Sequence, residues 1–419
     1  MVLKFDSAAG NPARALPEWP PVVVAGGYIT GVVLMRNLQH RGVDTHCIDS
    51  NPAQPAFLTK YGKAHLCPNP DLHPAEWVQF MIELSKSLGR RPVLIPSADQ
   101  FVTALGTHLD ELEPHFTFSR SSVENQTRLA TKEQQYELAG QHGLPVPRSE
   151  FIHSLEELQR FSSTARFPCL LKPTHFREWE RVPRDHPLYG QKIAMADNPA
   201  ELEAKYRLAC DASPLLVAQE IIEGPDTAKY AYLSCYGSNG ERIGTCLVRQ
   251  IRCWPIYWGS GSVVENIIDP EVDQLCDRFL RSIGYIGLCE IELKRDTRDG
   301  VVKMIEANPR YSVTSDAAPY AGVDLGWLHY LDLIGQPVNP VAPSSLDFRH
   351  IFLIRDYACF RDYLRDGLVT WGGLIHSYRR PRAFFDFDLH DWRVTAYVVN
   401  ILARTLLVPL VRKVFPKRK

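Results

Sequence analysis

IELKRDTRDGVVKMIEANPR, residues 291–310, reads as two strands joined by a turn, with an acid in each strand. Strands are expected over 288–294 and 301–307, and Arg298-Asp299-Gly300 supplies the turn signal between them. Side chains alternate along a strand, so Glu306 and Asn308 share a face. Glu292 joins them only if residues paired across the hairpin have numbers that sum to an even total. A three-residue loop with Gly300 left-handed gives that register and sets Glu292 against Glu306. Two carboxylates and an amide oxygen form a hard oxygen site, suited to magnesium held between protein and phosphates. The plain alternative is a hairpin with solvated acids, and the continuation through Asn-Pro to Arg310 weighs against it.

Working upstream, Arg249-Gln-Ile-Arg252 is followed by Gly259-Ser-Gly261. Two arginines of opposite strand parity can each clamp a carboxylate or a phosphoryl group, and a small-residue loop permits close backbone approach. The plain reading is a basic strand edge. VAQEIIEG, residues 217–224, is a strand running into a turn at Gly224. Its backbone suits a flat base, with Glu220 or Asp226 taking ribose hydroxyls. Lys172 ends the apolar strand Cys169–Lys172 just before Pro173, and a cation at the end of a buried strand needs an anion such as phosphate. Lys132 begins a helix that Thr131 caps, with Gln134 at the capping-box position, and Gly143-Leu-Pro-Val-Pro stops it. The polar stretch 174–192 reads as a mobile loop.

At the other end, VVVAGG at 22–27 is a buried parallel strand closing on a glycine turn. A helix near Thr30–Arg41 and a strand Thr45–Ile48 ending on Asp49 complete a βαβ start. Further strands at 93–95 and 117–118, with helices at 75–88 and 100–113, predict a parallel sheet over about the first 120 residues. The glycine spacing in AGGYITG is not that of a dinucleotide fingerprint. An NAD-dependent oxidoreductase would also leave everything after residue 120 unexplained.

Length and composition set outer bounds. A chain of 419 residues suits two or three packed subdomains. Hydrophobic residues at 45% and charged residues at 23% are ordinary for a soluble globular protein. A net charge of -1 gives no field to recruit nucleic acid. The 10 Cys show neither CxxC pairs nor zinc spacing, as expected of reduced cytosolic thiols. No continuous apolar stretch resembling a secretory signal occurs at the start, so a cytoplasmic location is expected.

In order, spacing and punctuation, residues 22–335 resemble the ATP-grasp superfamily, and within it the predicted ATP-dependent carboligases, or carboxylate-amine ligases. The resemblance rests on Lys132 eleven residues before Gly143, CLLKP, QEIIEG, the basic strand and the E…E-x-N-P-R hairpin, together with Pro96, Ser97 and Asp99. It implies an α/β fold: an ATP-grasp domain at 121–335 with a lid at about 150–225, behind an N-terminal Rossmann-like domain at 21–120. A flexible leader, 1–20, and a C-terminal extension, 336–419, flank these.

The resemblance also implies roles. Lys132 and Lys172 contact ATP phosphates. Glu220, Ile221 and Ile222 form the adenine hinge, and Glu223 or Asp226 holds the ribose. Glu292, Glu306 and Asn308 bind Mg2+, with Mn2+ as the alternative ion. Arg249 and Arg310 stabilise the transferring phosphoryl group and the acyl phosphate. The implied activity is an ADP-forming, ATP-dependent ligase joining a small carboxylate to an amine. A kinase or a non-catalytic ATP-binding regulator on the same scaffold is the alternative. The sequence departs from many relatives after Lys172, where THFREWERVPRDHPLYGQK has the single glycine Gly190, so the lid is expected to use Lys192 and side chains.

Residues 394–411 contain no acid and one base, Arg404. On a helix Arg393, Tyr397, Asn400 and Arg404 form one stripe, apolar residues cover the rest, and Pro409 should end or kink it. Arg412, Lys413, Lys417, Arg418 and Lys419 follow. A transmembrane span is disfavoured. The two expectations are a helix docked on the protein's own core, or one lying on an anionic membrane surface.

Overall fold

In the computed structural model, residues 19–414 are described except 130, 175–178, 180, 181, 192, 214, 258, 345, 347, 380 and 381, with residues 405–414 as backbone only. The leader as far as residue 18, Lys192 of the lid and the side chains of the basic tail lie outside the described residues.

The first sheet is parallel, in the order β3-β2-β1-β4, from β1 (Val22–Ala25), β2 (Thr45–Asp49), β3 (Lys63–Leu66) and β4 (Val93–Pro96). β1 is buried along its whole length, as a continuous apolar run in a sheet covered on both faces should be. Helices Ile29–Gln39, Pro74–Ser87 and Asp99–Thr107 cover it. The strand expected at 117–118 shrinks to one parallel bridge between Val93 and Thr117. β3, a partly exposed edge strand, carried no apolar signal.

The second sheet is antiparallel, β5-β8-β6-β7, from β5 (Ser149–Ile152), β6 (Cys169–Pro173), β7 (Ala194–Ala196) and β8 (Leu216–Glu220). Phe161, Leu202 and Leu171 fill its core, and so do Trp179 and Leu188. Two side chains of the stretch read from sequence as a mobile loop are thus part of this core.

The third sheet has seven strands, in the order β13-β12-β9-β10-β11-β14-β15. They are β9 (Lys229–Tyr236), β10 (Arg242–Trp254), β11 (Ser260–Ile267), β12 (Gly287–Arg295), β13 (Val302–Asn308), β14 (Arg349–Ile351) and β15 (Arg382–Phe384). The last two come from the segment expected to be an extension, which thus continues the central sheet. One hydrophobic core joins the first sheet to the third through Val22, Leu34, Leu233, Val248, Leu325 and Phe352. Ion pairs with buried carboxylates cross the same junction: Arg36 with Asp316 at 3.0 Å and Arg41 with Asp324 at 2.9 Å.

The C-terminal helix spans Trp392–Val414. Val394 and Val398 are buried, Val394 in the junction core, so this end docks on the protein. The helix runs through Pro409 rather than ending there; proline removes one hydrogen bond, and the flanking turns persist. Among the described residues no helix is long and apolar enough to cross a membrane.

Candidate active site

Glu292 pairs directly with Glu306, and Glu290 with Asn308, across β12 and β13. The expected facing of Glu292 and Glu306 is present, but not through a three-residue loop. Asp296 N–H donates to the Val301 carbonyl at 2.9 Å and Gly300 N–H to the Asp296 carbonyl at 2.8 Å, so the turn is Thr297–Gly300, with Gly300 left-handed at φ 74°. That turn alone gives Leu293↔Met304, an odd sum; one unpaired residue, Ile305, restores the even one. Glu290 was missed, although its alternation with Glu292 in CEIE places both on one face. Asn308 Nδ2 donates to Glu290 Oε2 at 3.2 Å. Burial, then Glu290 and Glu306, pushes Glu292 up to about 8. Burial likewise raises Glu290, against Arg310.

Among the described residues no three His, Cys, Asp or Glu side chains close around one point. Acids crowded on one face beside an amide oxygen nevertheless fit a hard divalent ion that completes its shell with phosphate oxygens.

Two cations approach this face from the first lysine's helix and the second sheet. Thr131 caps helix Lys132–Gln141, accepting from Gln134 N–H at 3.3 Å, and Lys132 Nζ lies 3.5 Å from Glu306 Oε2. The helix is fastened to β13: Gln135 Nε2 donates to the Ala307 carbonyl at 2.8 Å, and Gln135 Oε1 accepts from Ala307 N–H at 2.9 Å. Lys172, 8% exposed, donates to Gln219 Oε1 at 2.9 Å and sits over the Tyr136 ring. Burial, then the nearby Lys132 charge, pushes it down to about 7.

The hinge residues Ile221 and Ile222 are buried. Arg298 Nη2 donates to the Ile221 carbonyl at 2.6 Å and Thr297 N–H to the Glu223 carbonyl at 3.2 Å, tying the hinge to the tip of the acidic hairpin. Glu220 Oε1 accepts from Arg166 N–H at 2.9 Å. Asp226 is committed elsewhere: its Oδ2 accepts from Tyr257 N–H at 3.1 Å and from the Tyr363 hydroxyl.

N5-carboxyaminoimidazole synthetase from Staphylococcus aureus, complexed with ADP, superposes with a TM-score of 0.61 at 14% identity, over 85% of this chain and 88% of that one. The biotin carboxylase domain of Hydrogenobacter thermophilus 2-oxoglutarate carboxylase, with MgADP, ADP and bicarbonate, superposes with a TM-score of 0.59 at 17% identity, over 78% and 72%. The chain has the ATP-grasp fold. In sequence it is 24% identical to D-aspartate ligase from Enterococcus faecium over 299 residues, 66% of this chain and 67% of that ligase. No family model matches.

Within the ATP-grasp frame Arg249 departs from expectation. It pairs with Tyr230, which also pairs with Leu293, so Arg249 leaves the sheet on the face opposite Glu292. There it meets Glu265 at 2.5 Å. The unpaired Ile251 brings Arg252 to that same face, overturning the expected opposite parity. Arg252 instead forms a buried bidentate pair with Asp356, at 2.7 and 2.9 Å. Arg310 stays at the site: it donates to both Asp99 oxygens, at 2.6 and 3.0 Å, and to Asn308 Oδ1 at 3.0 Å. Asp99 opens the helix after β4, so the hairpin touches the carboxyl end of the first sheet.

Another arginine lies beside the glycine turn. Arg355 stacks on Phe352 at 4.2 Å, its charge acts on the Tyr28 hydroxyl, and it is in no ion pair among the described residues. Nothing local in the sequence marks it, because the chain returns to the turn only through β14.

Proposed function

We propose that the protein is an ATP- and Mg2+-dependent ligase, which converts a carboxylate to an acyl phosphate and passes the acyl group to an amine, releasing ADP and phosphate. The observation that carries this is Glu292 facing Glu306, with Asn308 beside them and the Lys132 ammonium at Glu306. The similar proteins are, by name, a D-aspartate ligase and an N5-carboxyaminoimidazole synthetase complexed with ADP, which supports a ligase reading.

Glu292, Glu306 and Asn308 hold Mg2+, and Mn2+ suits the same oxygen donors. Bound there, the ion neutralises triphosphate charge. Lys132 and Lys172 hold phosphates; Glu220, Ile221 and Ile222 frame the adenine. Glu223, whose carboxylate is 3.9 Å from Arg298, takes the ribose in preference to the committed Asp226. A substrate carboxylate oxygen attacks the γ-phosphorus, the bond to the ADP oxygen breaks, and ADP leaves. Arg310 steadies the transferred phosphoryl group; Arg355 and Tyr28 orient the carboxylate. The amine nitrogen then attacks the acyl carbon, the carbon–oxygen bond breaks, phosphate departs and the amine loses a proton.

In domain terms, residues 21–120 and the extension from 336 shape the substrate side, 121–335 the nucleotide side. The protein works in the cytoplasm on small molecules and not on nucleic acid. Trp392, Val399 and Arg404 are exposed on the C-terminal helix. With the basic tail they support a peripheral contact with anionic membrane. The test of the activity is ADP release from MgATP across a panel of amino acids and other small carboxylates beginning with D-aspartate; release that needs both Mg2+ and a carboxylate supports it, and carboxylate-independent release contradicts it.

A further inference from the structure

Lys294 is 6% exposed, and among the described residues it is in no hydrogen bond or ion pair. It pairs directly with Lys229 across β12 and β9, so the two ammoniums leave the same face of the sheet, the face of Glu290 and Glu292. Lys229 is 5% exposed; its Nζ lies 3.4 Å from Asp226 Oδ1 and 3.5 Å from the Gly259 carbonyl. Asp226 also serves Tyr257 and Tyr363. Asp296, further along the hairpin, is held by Arg298 and Lys303, each at 2.8 Å. Two like charges thus stand opposite each other in a buried place; Asp226 acts on both, Glu292 on Lys229 and Asp296 on Lys294, yet among the described residues only Lys229 has an ion-pair partner. That arrangement costs stability, because like charges repel across a ladder and an unpaired buried ammonium has lost its water. An anion that arrives with a ligand removes the cost.

The position says which anion. Glu292 lies two residues before Lys294 on the same face, roughly 7 Å along the strand. Thr297, in the turn past the end of the strand, is bonded to the hinge at the Glu223 carbonyl and lies three residues beyond Lys294. Lys294 therefore sits between the base end and the metal end of a nucleotide stretched from hinge to carboxylates. In such a molecule the anion in the middle is the phosphate attached to the ribose.

We infer that Lys294, backed by Lys229, binds the phosphate nearest the ribose, as a third cation on the nucleotide beside Lys132 and Lys172. This rests on the ATP-dependent reading above. It also accounts for a lysine buried without a partner: the site is built for a charge that the free protein lacks.

The test is calorimetric titration of the full-length protein with MgADP and, separately, with adenosine, for wild type, Lys294→Met and Lys294→Arg. Lys294→Met is expected to bind MgADP about tenfold more weakly and adenosine unchanged, the loss of one charge-assisted contact. Lys294→Arg is expected to stay within about threefold of wild type, since the charge is kept. Without nucleotide, Lys294→Met should melt no lower than wild type, because methionine fills the same space with no charge to desolvate. Unchanged MgADP affinity in Lys294→Met, or an equal loss for adenosine, overturns the inference and leaves the ATP reading standing. Wild type that does not bind MgADP overturns both. Should Lys294→Met not fold, wild type carrying 13Cε-labelled lysine decides: the Lys294 resonance, assigned with Lys294→Arg, moves with MgADP but not with adenosine, and the absence of that movement overturns the inference.

Discussion

Glu292 and Glu306 face each other because one residue, Ile305, is left out of the ladder between them. Continued from the turn without that bulge, the register would set Glu306 against Ile291, on the opposite face. The unpaired Ile305 carbonyl accepts the Tyr136 hydroxyl at 2.9 Å, and Gln135 brackets Ala307 through both its backbone groups. The helix that begins at Lys132 therefore holds the register of the acids.

Gln135→Leu should test that hold. It strands a buried N–H and a buried carbonyl of Ala307, at about 1–3 kcal/mol each. Urea unfolding is expected to show a lower midpoint by that order, with Mg2+-stimulated turnover falling further than stability alone explains.

Glu306→Gln should remove Mg2+-dependent turnover and leave the fold intact, since Glu306 is only partly buried and packs against no core cluster. Melting temperature with and without Mg2+ and nucleotide checks this: the free protein should be unchanged or more stable, and the joint shift lost. Full activity at limiting Mg2+ would contradict the assignment.

Lys172 makes nucleotide affinity depend on pH. In the free protein its ammonium is pushed down to about 7, by burial first and Lys132 second, against an ordinary 10.5. Between those values the folded free protein binds fewer protons than the unfolded chain, so this group's penalty is full below pH 7 and is relieved as pH rises. Phosphate needs the ammonium, so MgADP binding should take up a proton above pH 7 and weaken from pH 7 to 9. Calorimetry in buffers of different ionisation enthalpy measures the uptake; Lys172→Arg should flatten the dependence.

Asp356→Ala should loosen the C-terminal segment. It leaves Arg252, 3% exposed, without its counter-charge and also removes a partner of Ser262 and Tyr378. Breaking one half of a buried pair costs about 3–5 kcal/mol. Denaturant unfolding is expected to show that loss, while Arg252→Met combined with Asp356→Leu should recover much of it.

The C-terminal helix predicts binding to anionic vesicles. Full-length protein should float with phosphatidylserine-containing liposomes, less so at high salt, and a chain truncated before Asp391 should not. Equal flotation of the two would leave the helix as a core-docking element alone.

What the sequence disclosed was local. Lys172 before Pro173, Lys132 behind its Thr131 cap and the alternation of Glu306 with Asn308 each need only a few neighbouring residues to be read. The bulges at Ile305 and Ile251 were not legible from neighbouring residues; hence Arg249 and Arg252 were expected at opposite parity although they share a face. β14 and β15 are three residues each and gain their place only by pairing with a sheet already formed. Arg355 and Lys294 were overlooked for a related reason. A cation becomes informative when its surroundings are visible, Arg355 beside the Tyr28 hydroxyl and Lys294 opposite Lys229, and those are properties of the folded chain.

The central claim is tested most directly by oxygen transfer. The protein is incubated with MgATP, an amine and a carboxylate labelled with 18O on both oxygens, D-aspartate first, and the released phosphate is examined by mass spectrometry. Activation through an acyl phosphate predicts ADP and one 18O in each phosphate released. Unlabelled phosphate, or AMP and pyrophosphate in place of ADP and phosphate, would contradict the account.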